Sequence, residues 1–302
     1  MGTTWAVKLA APDGVAERDV CRLVEECLAS VVSEMSQWEL SSNLSRYNRA
    51  KAGSWHTIPD GFFRVLTQAL DIARATGGAY DPTIGPLTEL WGFGASGRRD
   101  EIPDARCVEK ARMRVGWRRL TIDTERHTLL QPGGVALDLA SIAKGFAVDL
   151  VSETLSKQGF RDHLVEIGGE LRGSGIKPDY SPWWVAIDDS CEEADETVVA
   201  LHHLSIATSG DARRFIMRQG RRYSHTLDPR TGYPIAERLA SVTVIDHSCM
   251  RADAFATALS VLGADDGFSF ACERNLAATF VLRDKGRTEH RPTPAYAAMM
   301  TA

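Results

Sequence analysis

Between residues 163 and 246 the chain is a succession of short apolar segments, HLVEIGGELRGSGI, PWWVAIDD, TVVALHHLSIATSG, RRYSHTLD and ASVTVIDHS, separated by turn residues. Side chains of a strand point alternately to two faces, so segments of this kind gain stability only when paired side by side over a buried layer. Helices bracket the region instead of alternating with it. Ahead of it lie VAERDVCRLVEECLASVVSEMSQW at 15–38 with an acidic start at Asp13, a helix opened by Pro59 and Asp60 and stopped by Gly77 and Gly78, a short helix after residue 104, and a long one over 141–159. TTWAVKL at 3–9 reads as a half-buried strand and WRRLTIDTERHTLLQ as a hairpin turning at Asp123 to Arg126. After the strand region come the helices SCMRADAFATALSVLG and DDGFSFACERN, then LAATFVLRD as the last strand. This order predicts an α+β fold with mainly antiparallel strands, not a strict βαβ alternation. No composition shift or internal repeat marks a boundary, so residues 1–302 are read as one large domain.

Several function classes fall away. The net charge of -5 and the lack of any basic run longer than a pair argue against a nucleic-acid partner. The longest apolar window, at 252–264, is shorter than the ~18 residues of a membrane span, so no transmembrane segment is expected. Six cysteines, at 21, 27, 107, 191, 249 and 272, include no CxxC pair and read as free thiols of a reducing compartment. The start MGTTWAVKLAAPDG lacks a charged leader followed by an apolar stretch, which reads as cytoplasmic; export or membrane anchoring is the alternative if a leader has been removed. GFGASG at 92–97 matches the dinucleotide pattern GxGxxG by letter. That pattern needs a strand before it and a helix after it, whereas TELW precedes and RRDEIPD follows, so the segment reads as a loop. P-loop, HExxH and GxSxG motifs are absent from the sequence.

What remains is a set of polar residues in Gly- and Pro-rich turns. DPTIGPL at 81–87 puts an acid before a proline. LDLASIAKG at 137–145 brings Asp138 and Lys144 to the start of a helix, where free N–H groups and the dipole favour anions such as phosphates. EIGGELRGSG at 166–175 is a strand pair whose glycines permit close approach, and YSHTLDPRTGYP at 223–234 supplies His225 and Asp228. Asp253 and Thr257 stand four apart on one helix and share a face. Plain structural readings are open for each: Asp138 and Ser141 as helix caps, Asp228 as a turn former, His225 as a hydrogen-bonded strand residue, Asp253 as a partner of the helix dipole.

Taken in order, these segments resemble the ApbE-type FAD:protein FMN transferase family. The matching blocks include MGTTW at 1–5, SSNLSRYN at 41–48, AYDPTIGPLTELWGFG at 79–94, LDLASIAKGFAVD at 137–149, LVEIGGELRGSG at 164–175, ATSGD at 207–211, RRYSHTLDPRTGYPI at 221–235 and VTVIDHSCMRADAFATALSVLG at 242–263. The resemblance implies transfer of FMN from FAD to a Thr or Ser hydroxyl of a target flavoprotein bearing a DxxTGA(S/T)-like segment, with a phosphoester formed and AMP released. It implies FAD contacts at Met1, Trp38, Ala79, Tyr80, Asp81, Asp138, Lys144 and Leu227. It also implies magnesium held by the main-chain carbonyl of Ser141 and the side chains of Asp253 and Thr257, an all-oxygen set suited to a hard cation. His225 is the chosen general base, with Asp228 orienting either the loop or the imidazole. Two positions depart from the family pattern: Trp38 stands where many members carry Tyr, and Ala256 where some carry a second Asp. Two other activities fit the same scaffold, a magnesium-dependent FAD pyrophosphatase giving FMN and AMP, and a carrier that binds FAD without turnover.

Overall fold

The strand-rich region pairs as its alternation requires. With elements numbered along the chain, β1 (Trp5–Leu9), β5 (His163–Ile167), β6 (Glu170–Ser174), β9 (Leu204–Gly210), β12 (Leu239–Asp246), β13 (Ala277–Asp284) and β14 (Arg287–Pro292) lie side by side in that order. Every neighbouring pair is antiparallel, as the α+β reading expects. The β5–β6 hairpin is closed by Gly168 and Gly169, both with positive φ (65° and 100°), the conformation that a tight two-residue hairpin turn demands and that glycine adopts without strain.

The computed structural model describes residues 2–12, 14–99, 101–187, 197–211, 215–218, 220–284 and 287–300. Met1, Asp13 and Cys191 lie outside them. The chain forms two compact units, residues 1–29, 144–213 and 237–302 in one, and 30–143 and 214–236 in the other. No helix among the described residues is long and apolar enough to cross a membrane. The five described cysteines are free thiols.

The first unit holds the seven-stranded sheet, the hairpin β7 (Trp183–Ala186) with β8 (Val198–Leu201), and helices α6 (Ala143–Lys157, its first residue excepted), α7 (Cys249–Leu262), α8 (Asp266–Glu273) and α9 (Pro294–Met300). α7 packs on β9 and β12. All of its residues but Arg251, Thr257 and Leu262 are buried, which explains a largely apolar sequence, and Asp253 is the acid inside it. A core of Leu164, Trp183, Val185, Leu201, Ile206, Ile245 and Tyr296 lies under β7 and β8. Trp183 belongs to that core while Trp184 points to solvent. The expected strand 197–210 is two, β8 and β9, broken at His202 and His203, where His203 adopts φ 54°. LAATFVLRD is not the last strand: β14 and α9 follow it, and β14 is recognisable only by its pairing with β13, because an edge strand need not alternate.

The second unit contains α2 (Asn43–Asn48), α3 (Asp60–Ala75), α4 (Gly85–Trp91), α5 (Ala105–Arg112), the small sheet β2 (Trp55–Thr57), β4 (Thr128–Leu130) and β3 (Thr121–Asp123), and the hairpin β10 (Phe215–Arg218) with β11 (Arg221–Ser224). The helix predicted at 15–38 is α1 (Glu17–Met35). GFGASG follows a helix, α4, whose left-handed C-cap is Gly92 (φ 77°), so the dinucleotide pattern is excluded by its flank. Leu87, Trp91, Val108, Ala111 and Leu227 form a core in this unit.

One buried histidine makes stability depend on pH. His163 is fully buried, with its Nδ1–H donating to the Phe160 carbonyl at 2.9 Å and its Nε2 accepting from the Ser152 hydroxyl at 2.7 Å. Burial, opposed by the bond to the Phe160 carbonyl, holds its pKa below the ordinary value. The unfolded chain therefore binds the proton more readily, and the contribution of His163 is complete above about pH 6.5 and is lost as pH falls below it. The urea midpoint of the wild-type protein should fall more steeply between pH 7 and pH 5 than that of His163→Gln; parallel curves would exclude the effect.

Candidate active site

The first unit gathers three charged groups from distant parts of the sequence. Lys144 stands in the first turn of α6, and its Nζ is ion-paired with Oε1 of Glu170, the residue that opens β6. The N–H of the next residue, Gly145, donates to Oδ2 of Asp253 at 3.0 Å. A side chain at Gly145 would collide with the Cys249 carbonyl and come within 2.8 Å of the Met250 Cα, so glycine is what lets α6 and the start of α7 approach this closely. Burial opposes the charge on Lys144, but the Asp253 and Glu170 carboxylates outweigh it and hold its pKa above the usual value. Burial together with the neighbouring Asp253 pushes Glu170 up to about 8, and burial likewise raises Asp253 against the pull of Lys144 and the Gly145 N–H. Two acids face one ammonium, and Glu170 Oε2 is buried without a hydrogen-bond partner among the described residues.

The predicted open helix start is therefore partly taken. Ile142 and Ala143 donate their N–H groups to the Leu139 carbonyl, and Gly145 donates to Asp253, so the anion seated at the start of α6 is one of the protein's own carboxylates. α7 is fixed in turn by Asp149 of α6. Its carboxylate accepts from the Ser248 hydroxyl (2.8 Å) and the Cys249 and Met250 N–H groups (both 3.0 Å), and is ion-paired with Arg172.

In the second unit the blocks 79–94 and 137–141 meet. The Asp138 N–H donates to the Pro82 carbonyl at 2.9 Å, and the Asp138 carboxylate accepts from the Ala140 N–H and the Thr88 hydroxyl. Asn48 holds Leu137 through both its main-chain groups, and the Ser141 hydroxyl donates to Tyr80 Oη at 3.2 Å. Asp81 accepts from the Thr83 N–H and hydroxyl on one oxygen and from the Trp117 N–H on the other. Burial raises the pKa of both Asp81 and Asp138, against these hydrogen bonds. Asp138 thus closes a turn ahead of α6 and ties it to Thr88, and Asp81 staples its own turn to Trp117. Ala79 and Tyr80 are buried, Trp38 is 49% exposed, and the Leu227 side chain is in the core.

His225 follows β11 in a loop with several anchors. The Trp91 indole N–H donates to the Gly232 carbonyl at 2.9 Å, the Ile235 N–H donates to the Thr226 carbonyl at 3.0 Å, and the imidazole meets the Phe93 ring edge-on at 6.3 Å. Asp228 accepts from the Arg230 main chain and guanidinium, which fixes the turn that follows His225. Among the described residues no group of three or more His, Cys, Asp or Glu is arranged to hold a metal ion.

The model of the ApbE family matches residues 1–280. This chain belongs to the ApbE family. It is 37% identical over 292 residues to the FAD:protein FMN transferase of Haemophilus influenzae, covering 94% of this chain and 84% of the relative. It is 36% identical over 295 residues to that of Vibrio cholerae, covering 96% and 88%. Among solved structures, the flavinyl transferase ApbE of Pseudomonas stutzeri in its apo form superposes with a TM-score of 0.93 at 39% identity, over 100% of this chain and 95% of the other.

Of the residues expected from the ApbE resemblance, Lys144 and Asp253 come together in the first unit, Thr257 stands one turn beyond Asp253, and Tyr80, Asp81, Asp138 and Ser141 cluster in the second unit. Sequence reasoning missed Glu170 and Asp149. Both carried a signal: Asp149 interrupts the apolar run FAVDLV, and Glu170 follows a Gly-Gly turn at the start of an inner strand, two places where an acid is retained only with a partner.

Proposed function

We propose that this chain transfers FMN from FAD to a Thr or Ser hydroxyl of a target flavoprotein, in a magnesium-dependent reaction that forms a phosphoester and releases AMP. The observation that carries the reading is the cluster of Lys144, Asp253 and Glu170, in which Lys144, expected at FAD, pairs with Glu170 and lies in the field of Asp253, expected at the metal, whose carboxylate accepts from the adjoining Gly145 N–H. Two acids share one ammonium there, which leaves one acid without a counter-charge, and a hard cation suits such a site through oxygen donors. Asp253 and Thr257 are the side chains that would hold magnesium. That set contains a single acid, with a hydroxyl as its other side-chain donor. Magnesium, when bound, would neutralise charge on the phosphates. Lys144 would bind a pyrophosphate oxygen. His225 would take the proton from the attacking hydroxyl as its oxygen bonds to the FMN phosphorus and the bond to AMP breaks. The main chain of 79–81 and Leu227, with the exposed Trp38 ring, would bind and orient FAD.

The test is incubation with FAD, magnesium and a protein bearing a DxxTGA(S/T)-like segment, followed by in-gel flavin fluorescence. Covalent flavin on the target is the expected result. FMN and AMP without covalent flavin would replace the reading with a pyrophosphatase, and unchanged FAD would replace it with a carrier.

A further inference from the structure

Lys144 has a long side chain with four torsions, and a third of it is open to solvent. Left alone, a lysine so placed loses rotamer freedom on meeting a phosphate. The chain supplies an anchor. Glu170 is only 2% exposed, so its own rotamer is fixed by packing, and its Oε1 pairs with Nζ. The backbone beneath is also fixed, since Glu170 follows the Gly168–Gly169 turn and pairs with Ile167 across the hairpin. The acid is costly where it stands: burial opposes its charge, Asp253 repels it, and Oε2 has no hydrogen-bond partner among the described residues. The neighbouring cation on β6, Arg172, is engaged by Asp149. Fold stability alone would favour an apolar residue at 170.

We propose that Glu170 is a positioning residue of the transfer reaction, its carboxylate holding the Lys144 ammonium at the place where the FAD pyrophosphate binds. This rests on the proposed function in one respect, that Lys144 meets FAD. Glu170 acts through Lys144 and does not itself touch the phosphate. One of the three protons on Nζ is directed to Glu170, and the ammonium presents the others in a fixed direction.

The test is a double-mutant cycle on the full chain with Lys144→Met, Glu170→Gln and the double variant, after circular dichroism has shown each to be folded. Glutamine keeps the size and one acceptor oxygen but removes the charge. Three quantities are read: FAD affinity by fluorescence titration, kcat and KM for transfer, and the rate at which an amine-reactive ester acylates Lys144 at a fixed pH, followed by mass spectrometry. Glu170→Gln should weaken FAD binding about tenfold, the scale of a charge-assisted hydrogen bond, and should change nothing further once Lys144 is methionine. Acylation of Lys144 should become several-fold faster. Equal effects of Glu170→Gln with and without Lys144, or unchanged acylation, would overturn the inference. Should the glutamine variant not fold, Glu170→Asp, which keeps the charge but withdraws it by one methylene, is read by the same criteria. Wild-type protein that binds FAD but leaves no covalent flavin on the target would refute the transfer reading alone, and the affinity cycle would still decide the role of Glu170.

Discussion

Replacing His225 by alanine should leave FAD binding within about twofold of wild type and slow flavin transfer by about 100- to 10,000-fold, the usual contribution of a positioned general base. Binding is expected to survive because the loop around His225 is fixed by contacts that do not use the imidazole: Trp91 to Gly232, Thr226 to Ile235, and Asp228 to Arg230. A hydroxyl attacking phosphorus must shed its proton, and without a base nearby that proton passes to water. The measurement pairs a single-turnover transfer assay at neutral pH with a fluorescence titration of FAD. Transfer at the wild-type rate would remove His225 from the role. Loss of FAD binding in parallel would make it a binding residue instead.

Replacing Asp149 by alanine should cost about 3 kcal/mol of stability, the lower end for breaking a buried ion pair. Asp149 is almost fully buried and satisfies four donors at once: the Ser248 hydroxyl, two N–H groups at the start of α7, and the Arg172 guanidinium. Alanine leaves the helix N–H groups without their acceptor and Arg172 without its counter-charge; the quarter of Arg172 that remains open to water moderates the penalty. The urea midpoint should drop with an unchanged slope. On the proposed function activity should fall as well, because α7 carries Asp253 and Thr257. A loss well under 1 kcal/mol would show that water replaces the carboxylate.

Much of this was readable in the sequence, for identifiable reasons. α3 spans Asp60–Ala75, just where Pro59 and the Gly77–Gly78 pair bound a periodic run, and α6 falls inside the 141–159 expectation. The short helices α2 and α4 were not anticipated. Six or seven residues hold fewer than two turns, too few for a 3.6-residue period, and α4 begins with Gly85 and Pro86, which elsewhere signal a turn. At the site, blocks of sequence led to Lys144 and Asp253, whereas Glu170 and Asp149 emerged only from their partners. The settings of these two acids, the start of an inner strand and an apolar run, mark each as an acid that needs a partner, but which residue supplies the partner is decided by what folding brings alongside. The same limit applies to Asp81, whose carboxylate is committed to Thr83 and Trp117.

Gly145 and Asp253 have a thermodynamic consequence. With a carboxylate already seated at the start of α6, a phosphate ligand approaching Lys144 competes with Asp253 and Glu170 for one ammonium, and a cation entering beside it supplies the missing counter-charge. On the proposed function, each would lower the free energy of the other's binding by the same amount, since linkage between two ligands is reciprocal. FAD affinity would then rise with magnesium concentration and magnesium affinity with FAD, making the nucleotide–cation pair the unit the protein selects.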